Sequence, residues 1–361
     1  MELAMQVHVY LPSGKSCSVS LPPESSIREL KAAAQQQLKC RFLALAFRGQ
    51  QLDVSSALGE VGVRDGEHID AIMQSVRFAS TASSFALYVP GGTALTWGNP
   101  GHGGDSSEVR EKLVRVQQIQ GTSSAFAAIM ENGSVVTWGK PDFGGDSSEV
   151  QEQLVRVQQI RATSRAFAAI LENGSVVTWG KPACGGDSSE VREQLVQVQQ
   201  IRASYASFAA ILADGSVVTW GPDFGGDSSE VREQLVRVQQ IRATWRAFAA
   251  ILENGSVVTW GDPACGGDSS EVREQLVQVQ QIRAAEGAFA AILENGSVVT
   301  WGSPAFGGDS SEVREQLVQV QQIRATSSAF AAILADGSLV TWGNPHFSGD
   351  SSKVQTYLDF L

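Results

Sequence analysis

The sequence has little of what disulfide-rich, metal-binding and membrane proteins depend on. It holds four cysteines and four histidines in 361 residues, and no two cysteines stand in the Cys-x-x-Cys spacing of a zinc ribbon or redox dithiol. Its first residues show no basic stretch followed by an apolar core, and no run of 18 apolar residues follows. We therefore predict no metal site, no secretion, no membrane span, and a cytoplasmic or nuclear location.

Positive charge is also scarce. Charged residues make up 18% of the chain, with 27 Lys and Arg against 38 Asp and Glu, a net charge of −11. Nucleic-acid binding draws its affinity from cationic side chains, and anionic membranes repel an acidic surface. We therefore predict neither as a partner. The hydrophobic content of 43% is too high for a disordered chain.

A repeat of about 41 residues fills most of the chain. Its marker is a Trp-Gly pair, with tryptophans at Trp97, Trp138, Trp179, Trp220, Trp260, Trp301 and Trp342. The single shorter spacing is a one-residue deletion after Trp220. Nothing before Met73 matches the unit. We predict two domains, residues 1–75 and a seven-repeat array over residues 76–361.

Each repeat predicts three short β-strands and one short helix. In residues 157–197, VQQIRAT, AFAAIL and SVVTWG have the β-branched and apolar pattern of strands. The Asn-Gly and Asp-Gly pairs between the second and third runs favour a type I′ turn, with both central residues at positive φ. The following DSSEVREQL segment predicts a helix, with Asp146 and Glu149 forming a capping box.

One such unit cannot bury its own apolar faces, so neighbouring repeats must stack. When the repeats are aligned, Leu361 is equivalent to Val320, and residues 75–78 are equivalent to residues 157–160. The array thus ends in the phase in which it began, which favours a closed ring over an open solenoid. We predict a mainly β fold, a seven-bladed β-propeller in a monomer, with the tryptophans packed between blades.

The array resembles the regulator of chromosome condensation repeat family. The resemblance rests on I-x-A-T-x-x-A-F-A-A-I, then N-G-S-V-V-T-W-G, then a glycine-rich stretch, seven times over about 286 residues. The units are shorter than is usual for that family, and Gly-Gly-Asp-Ser-Ser stands where the family often has Gly-Gln-Leu-Gly. The resemblance implies a β-propeller fold. Because the founding member of the family performs guanine-nucleotide exchange on a small GTPase, the resemblance also implies that activity.

The head of the chain resembles ubiquitin. The motifs are Met5-Gln6-Val7, the turn Ser13-Gly14-Lys15, Phe47-Arg48-Gly49-Gln50-Gln51-Leu52 and Val63-x-Asp65-Gly66, in the order ββαβ…β. The resemblance implies a small α+β (β-grasp) domain that docks to ubiquitin-binding or proteasome-type receptors.

Two departures from ubiquitin limit what the head can do. No Gly-Gly tail follows Met73, so the head is not predicted to be a conjugated modifier. The position of the central patch isoleucine is Ala46, and the turn lysine used for chains is Gln50. Leu45 and Ile72 keep part of an apolar patch with Ala46, which predicts weakened receptor binding.

The sequence offers no catalytic constellation. None of His8, His68, His102 and His346 stands at a recognisable motif spacing from a nucleophile or carboxylate. The aspartate of each Gly-Gly-Asp recurs in all seven repeats, which favours a helix-capping role over seven cation sites. No phosphate loop is present. We predict a protein that is not an enzyme and needs no cofactor.

The repeats differ mainly at one pair of residues, between the first and second strands. The seven pairs are Ala82-Ser83, Ser123-Ser124, Ser164-Arg165, Tyr205-Ala206, Trp245-Arg246, Glu286-Gly287 and Ser327-Ser328. Corresponding turns of a propeller open on one face, and Tyr, Trp and Arg are enriched at binding hot spots. Arg165, Tyr205, Trp245, Arg246 and Glu286 are therefore candidate partner-binding residues, with neutral drift as the alternative.

These features predict a non-enzymatic protein–protein interaction scaffold. The propeller face would bind a protein partner, and the head would dock to ubiquitin-pathway receptors. The alternatives are an exchange regulator of a small GTPase, which the acidic charge disfavours, and a substrate-binding component of a ubiquitin ligase.

Overall fold

The chain divides into two compact units. In the computed structural model these are Met1–Phe78 with Leu87–Ala94, and Ala79–Ala86 with Leu95–Leu361. The structure describes residues 4–347 and 349, without the side chains of 223 and 224. Among the described residues no helix is long and apolar enough to cross a membrane.

The first unit contains a five-stranded mixed sheet and one helix. The elements are β1 (Met5–Tyr10), β2 (Ser16–Leu21), α1 (Ile27–Leu38), β3 (Leu43–Phe47), β4 (Gln50–Gln51) and β5 (His68–Met73). Ser26 caps helix α1, because its hydroxyl accepts from the Glu29 amide while the Glu29 carboxylate accepts from the Ser26 amide. The sheet order is β2-β1-β5-β3-β4, with β1 parallel to β5.

Seven three-stranded antiparallel sheets follow in the described residues, one for each predicted repeat. The first strands are Arg77–Ser80, Val116–Gly121, Val157–Ala162, Val198–Ala203, Val238–Ala243, Val279–Ala284 and Val320–Ala325. The second strands are Ser84–Tyr88, Ala125–Met130, Ala166–Leu171, Phe208–Leu212, Ala247–Leu252, Ala288–Leu293 and Ala329–Leu334. The third strands are Ala94–Gly98, Val135–Gly139, Val176–Gly180, Val217–Trp220, Val257–Gly261, Val298–Gly302 and Leu339–Gly343. The prediction of a mainly β chain of three-stranded repeats is confirmed.

Short 3₁₀-helices connect each repeat to the next. After the third strand come Pro100–His102, Pro141–Phe143, Pro182–Cys184, Pro263–Cys265, Pro304–Phe306 and Pro345–Phe347. The deletion after Trp220 replaces this turn in the fourth repeat with a four-residue helix, α2 (Asp223–Gly226). The second set is Ser107–Lys112, Ser148–Gln153, Ser189–Gln194, Ser229–Gln234, Ser270–Gln275 and Ser311–Gln316.

The predicted capping box at Asp146 is wrong. Asp146 Oδ1 accepts a hydrogen bond from the Ser148 amide at 2.9 Å, only two residues on, and the residue that precedes the 3₁₀-helix makes no side-chain cap bond. An aspartate readily closes such a local turn, and this one leads into a tighter helix than the α-helix expected. The same bond recurs from Asp105 to Asp309, and the predicted equivalent at Asp350 lies outside the described residues.

The predicted type I′ turn is also wrong. Gly133 has φ +77°, but Asn132 does not have a positive φ. Instead the Asn132 side chain accepts from the Ser134 amide at 3.0 Å, and the Gly133 amide donates to the Met130 carbonyl. This is a turn with glycine at its fourth position, in which the asparagine bonds locally rather than adopting the left-handed conformation.

The tryptophans from the second repeat onward bind neighbouring repeats together. Trp138 stacks on Phe126 of its own repeat at 5.2 Å, and its Nε1 donates to the Gly103 carbonyl of the preceding loop at 3.0 Å. The bond recurs at the five later tryptophans, and all six are only 4–5% exposed. The predicted inter-repeat packing therefore holds for these six.

The two ends of the array expose the faces that are buried between all other neighbours. Trp97 is 45% exposed and Phe85 48%, whereas the residues matching Phe85 are fully or almost fully buried. At the other end Ile333 is 42% exposed, against 4–6% for its five equivalents from Ile129 to Ile292. The described residues thus do not close the predicted ring, and Leu361, on which that prediction rested, lies outside them.

The repeated aspartate turns predict how the array responds to acid. Hydrogen bonds from the amide two residues on lower the pKa of the Asp146, Asp227, Asp268 and Asp309 carboxyls. Their contribution to stability is therefore present above the ordinary aspartate pKa and is lost as the pH falls through the lowered one. The fourfold Asp→Asn variant should melt below wild type at neutral pH. Thermal melts at decreasing pH should show that gap shrinking, and a constant gap would contradict the assignment.

Candidate functional site

The variable pairs lie on turns that a repeated hydroxyl holds in place. In the third repeat Thr163 Oγ1 accepts from the Ala166 amide at 3.0 Å and donates to the Cys184 carbonyl at 2.8 Å. Thr122 and Thr244 make the equivalent bonds, and Ser204 bonds the Ser207 amide in the same way. The hydroxyl therefore fixes the turn backbone in these repeats, whereas the sixth repeat, which carries Glu286, has Ala285 at this position.

The first residues of the pairs are joined by a continuous row of backbone hydrogen bonds. In each case the amide donates to the carbonyl of the matching residue in the next repeat, at 2.8–3.1 Å. The row runs Ala82, Ser123, Ser164, Tyr205, Trp245, Glu286 and Ser327. Because this bonding is independent of side chains, the seven positions can vary without disturbing the contact between repeats.

A cavity of about 510 Å³ lies beside this row. Tyr205, Trp245 and Glu286 line it together with small residues and hydroxyls of the neighbouring turns. The Tyr205 and Trp245 rings are 6.0 Å apart, and each residue is 49% exposed. Three of the five predicted binding residues are thus brought together as an exposed aromatic pair beside a carboxylate.

The two predicted arginines are not part of the cavity lining. The Arg165 guanidinium lies 4.6 Å from the centre of the Phe143 ring, in the loop before its repeat. Arg246 lies 3.7 Å from the Asp262 carboxylate. The first residues of the pairs from the second repeat onward therefore line the cavity, whereas these second residues contact the connecting loops.

The second position of each pair is coupled in size to a residue in the next loop. A Cβ on Gly287 would lie 2.8 Å from Cδ2 of Phe306. Arginine occurs only where the loop residue is cysteine. The matched pairs are Ser83 with His102, Ser124 with Phe143, Arg165 with Cys184, Ala206 with Phe224, Arg246 with Cys265, Gly287 with Phe306 and Ser328 with Phe347. Sequence comparison of the repeats could have found this pairing.

We expect Gly287→Arg to destabilise the array by about 1–3 kcal/mol, because the new side chain overlaps the Phe306 ring. Adding Phe306→Cys should recover most of that loss, because it recreates the Arg246 and Cys265 combination. Chemical denaturation of the two single variants and the double variant measures the coupling. If the free-energy change of the double variant equalled the sum of the changes in the two single variants, the pairing would be contradicted.

The predicted head patch is mostly inside the protein. All five residues of β3 are buried, including Leu45 at 2% and Ala46 at 6% exposed, while Ile72 on β5 is 49% exposed. The sequence placed all three on one surface, whereas the strand is covered on both faces. Ile72 is therefore the member of the patch that a partner can reach.

The other polar candidates have local roles. His102 Nδ1 lies 3.0 Å from Ser124 Oγ of the next repeat, an inter-repeat contact. Within the described part of the chain, no cluster of three His, Cys, Asp or Glu side chains is arranged to hold a metal ion. Larger grooves lie between successive repeats and are lined by equivalent residues each time. They are therefore a consequence of the repeated packing and do not mark one particular site.

No family model matches the chain, and no curated protein matches it. Among solved structures the chain is similar to yeast RCC1 (Prp20) in its complex with Kap60, at 16% identity and TM-score 0.42, over 66% of this chain and 72% of that one. It is similar in the same way to Saccharomyces cerevisiae Prp20p, at 16% identity and TM-score 0.42, over 63% and 72% of the two chains.

A second similarity covers only a fifth of the chain. The UBL domain of Plasmodium falciparum Dsk2 is 20% identical, with a TM-score of 0.19 over 20% of this chain and 99% of that domain. Because these identities and TM-scores are low, we assign the fold from the strands and their pairing and not from the similarities.

Proposed function

We propose that the propeller-like array is a non-enzymatic scaffold that binds a protein partner at the cavity beside Tyr205, Trp245 and Glu286. The observation that carries the proposal is the convergence of these three residues, where the repeats otherwise differ little, on one cavity. Exposed tyrosine and tryptophan provide large apolar contact area with little loss of side-chain entropy. The framework bonds are made by backbone and hydroxyl groups, which leaves the aromatic side chains available to a partner.

The chain itself supplies the variants that test this proposal. Tyr205→Ser with Trp245→Ser recreates the serines of the second, third and seventh repeats. Arg165→Ser with Arg246→Ser is the matched control, because it makes the same replacement at the second positions. Affinity capture with the full chain should lose its specific partners with the first double variant and keep them with the second. Equal capture by both would overturn the proposal.

A nucleotide-release assay separates the scaffold from the exchange-factor alternative. The scaffold proposal predicts no acceleration of nucleotide release from a panel of small GTPases. Acceleration that survives Tyr205→Ser with Trp245→Ser would favour the alternative and place its site elsewhere on the array. Assembly of the captured partner with a ubiquitin ligase would instead favour the substrate-binding role.

For the head, we propose docking to a ubiquitin-binding domain through the exposed end of β5. Ile72 is 49% exposed, so it offers a small apolar contact at the surface of the sheet. Titrating the full chain with such a domain should shift the Ile72 methyl signals, and Ile72→Asp should abolish binding. Unchanged Ile72 signals would remove this part of the proposal. A cytoplasmic or nuclear location and a monomeric state remain predictions.

A further inference from the structure

A column of arginines crosses five neighbouring first strands of the array. Its members occupy one repeat position and are Arg161, Arg202, Arg242, Arg283 and Arg324. Neighbouring first strands contact each other, so the arginines follow one another from repeat to repeat. The first four are partly buried, and Arg324, in the last repeat, is exposed. The second repeat has Gln120 at this position.

The guanidinium groups lie between adjacent strands. Arg242 Nε donates to the Ile282 carbonyl of the next repeat at 3.2 Å, and Arg283 Nε donates to the Ile323 carbonyl at 3.0 Å. Arg161 and Arg202 donate to the carbonyl of the preceding residue of their own strands. A guanidinium has five N–H donors, so these bonds leave most of them available.

The column gathers positive charge without gathering carboxylates. The ion pairs found between described residues involve Arg48, Arg115, Arg156, Arg237 and Arg246, all outside the column. Burial lowers the pKa of Arg202, and the charges of Arg161 and Arg242 lower it further. In a chain of net charge −11, this is a concentration of like charges whose repulsion a bound anion would relieve.

Unsatisfied acceptors accompany the arginines. Two residues before the first four are Gln159, Gln200, Gln240 and Gln281, and residues two apart on a strand face the same side. Their Oε1 atoms are buried and accept no hydrogen bond from the described residues. The space between the first strands is therefore lined with both guanidinium donors and amide acceptors.

The column does not line the cavity. Ala203, Ala243 and Ala284 do, but they directly follow Arg202, Arg242 and Arg283 in the strands, and successive strand residues point to opposite faces. Guanidinium groups bind carboxylate and phosphate oxygens through paired hydrogen bonds, and several in a row favour a multivalent anion.

We propose that the arginine column binds a small multivalent oxyanion, a polyphosphate or polycarboxylate, between the first strands of the array. Such an anion bridges several guanidiniums at once, and a hydroxyl group on it can donate to the glutamine oxygens. This binding function is separate from the partner site, because it uses neither Tyr205 nor Trp245.

The test is calorimetric titration of the full chain with two probes, sodium tripolyphosphate and citrate, at matched ionic strength. The column variant is Arg202→Gln with Arg242→Gln, which copies Gln120. The control is Arg192→Gln with Arg232→Gln on the outer 3₁₀-helices, where the arginines bond Gln153 and Gln194. Both variants remove the same amount of positive charge. A difference between them therefore distinguishes binding at the column from general electrostatic attraction of the anion.

We expect at least one probe to bind wild type and the control with a stoichiometry of one, and the column variant at least about tenfold more weakly. The probe that binds more tightly distinguishes a phosphate ligand from a carboxylate ligand. Equal weakening in both variants, or no binding of either probe to wild type, would overturn the proposal. In the absence of a probe, the column variant should have a melting temperature no lower than that of wild type. If its melting temperature is lower, the same titrations compare the single variants Arg202→Gln and Arg192→Gln, with the same expected and contradicting results.

Discussion

Replacing Trp138 with alanine should destabilise the array by about 3–5 kcal/mol, whereas Trp97→Ala should cost no more than about half of that. Trp138 is buried, stacks on Phe126 and bonds the preceding loop, so its loss leaves a cavity and an unpaired Gly103 carbonyl. Trp97 stacks on Phe85 at 5.5 Å, but both rings are about half exposed. Chemical denaturation of the two variants measures the difference.

The Trp97 result also reports on closure of the array. If the first and last repeats packed together in solution as their neighbours do, Trp97 would be as buried as the other six, and the two substitutions would cost the same. Trp179→Ala is the control for position in the chain, and it should match Trp138→Ala. Equal losses for Trp97 and Trp138 would contradict the exposed ends and favour the closed seven-bladed ring.

Gly103→Ala should be the second large loss, about 3 kcal/mol or more, because two costs add. Gly103 has φ +85°, and a Cβ there would lie 2.7 Å from Cδ2 of Phe126, a fully buried ring. The methyl group would push Phe126 out of the contact with Trp138 and weaken the interface between the first two repeats. Urea denaturation of the variant measures this loss.

Gly101→Ala is the control for Gly103→Ala, because both glycines lie in the same loop. A Cβ on Gly101 would meet only the Asn99 side chain, at 3.4 Å, and the third repeat already has Ala183 at this position. We expect a change within about 0.5 kcal/mol. Similar losses for the two variants would mean that the loop, and not the approach of Gly103 to Phe126, determines stability.

The sequence predicted the strands because their pattern is local and repeated seven times. VQQIRA, AFAAIL and SVVTW contain β-branched and apolar residues in short runs bounded by turn residues, and the strands fall on them. The two turn predictions failed where a side chain had a choice of local partner. Asn132 and Asp146 each accept from an amide two residues on, which competes with the turn and cap geometries assumed.

The candidate site was predicted in part. The alignment of repeats identified the variable pairs, but it could not show that Tyr205 faces the cavity while Arg165 contacts Phe143, because that depends on the turn backbone. In the head, the resemblance to ubiquitin predicted an apolar surface patch at Leu45, Ala46 and Ile72, and Leu45 and Ala46 are buried instead.

The arginine column was missed for a related reason. An arginine next to an isoleucine in a short strand resembles an ordinary solvent-facing residue. Only the contact between neighbouring first strands brings Arg161, Arg202 and Arg242 into one row. The coupling of Gly287 to Phe306, by contrast, could be read from the repeats once they are compared position by position.

The most direct test of the partner site is oxidative footprinting of the tryptophans with and without the captured partner. Trp97 and Trp245 are 45% and 49% exposed, so both should be oxidised in the free protein while the six buried tryptophans are protected. We expect a bound partner to protect Trp245 and to leave Trp97 as reactive as before. Protection of Trp97 with Trp245 unchanged would contradict this expectation.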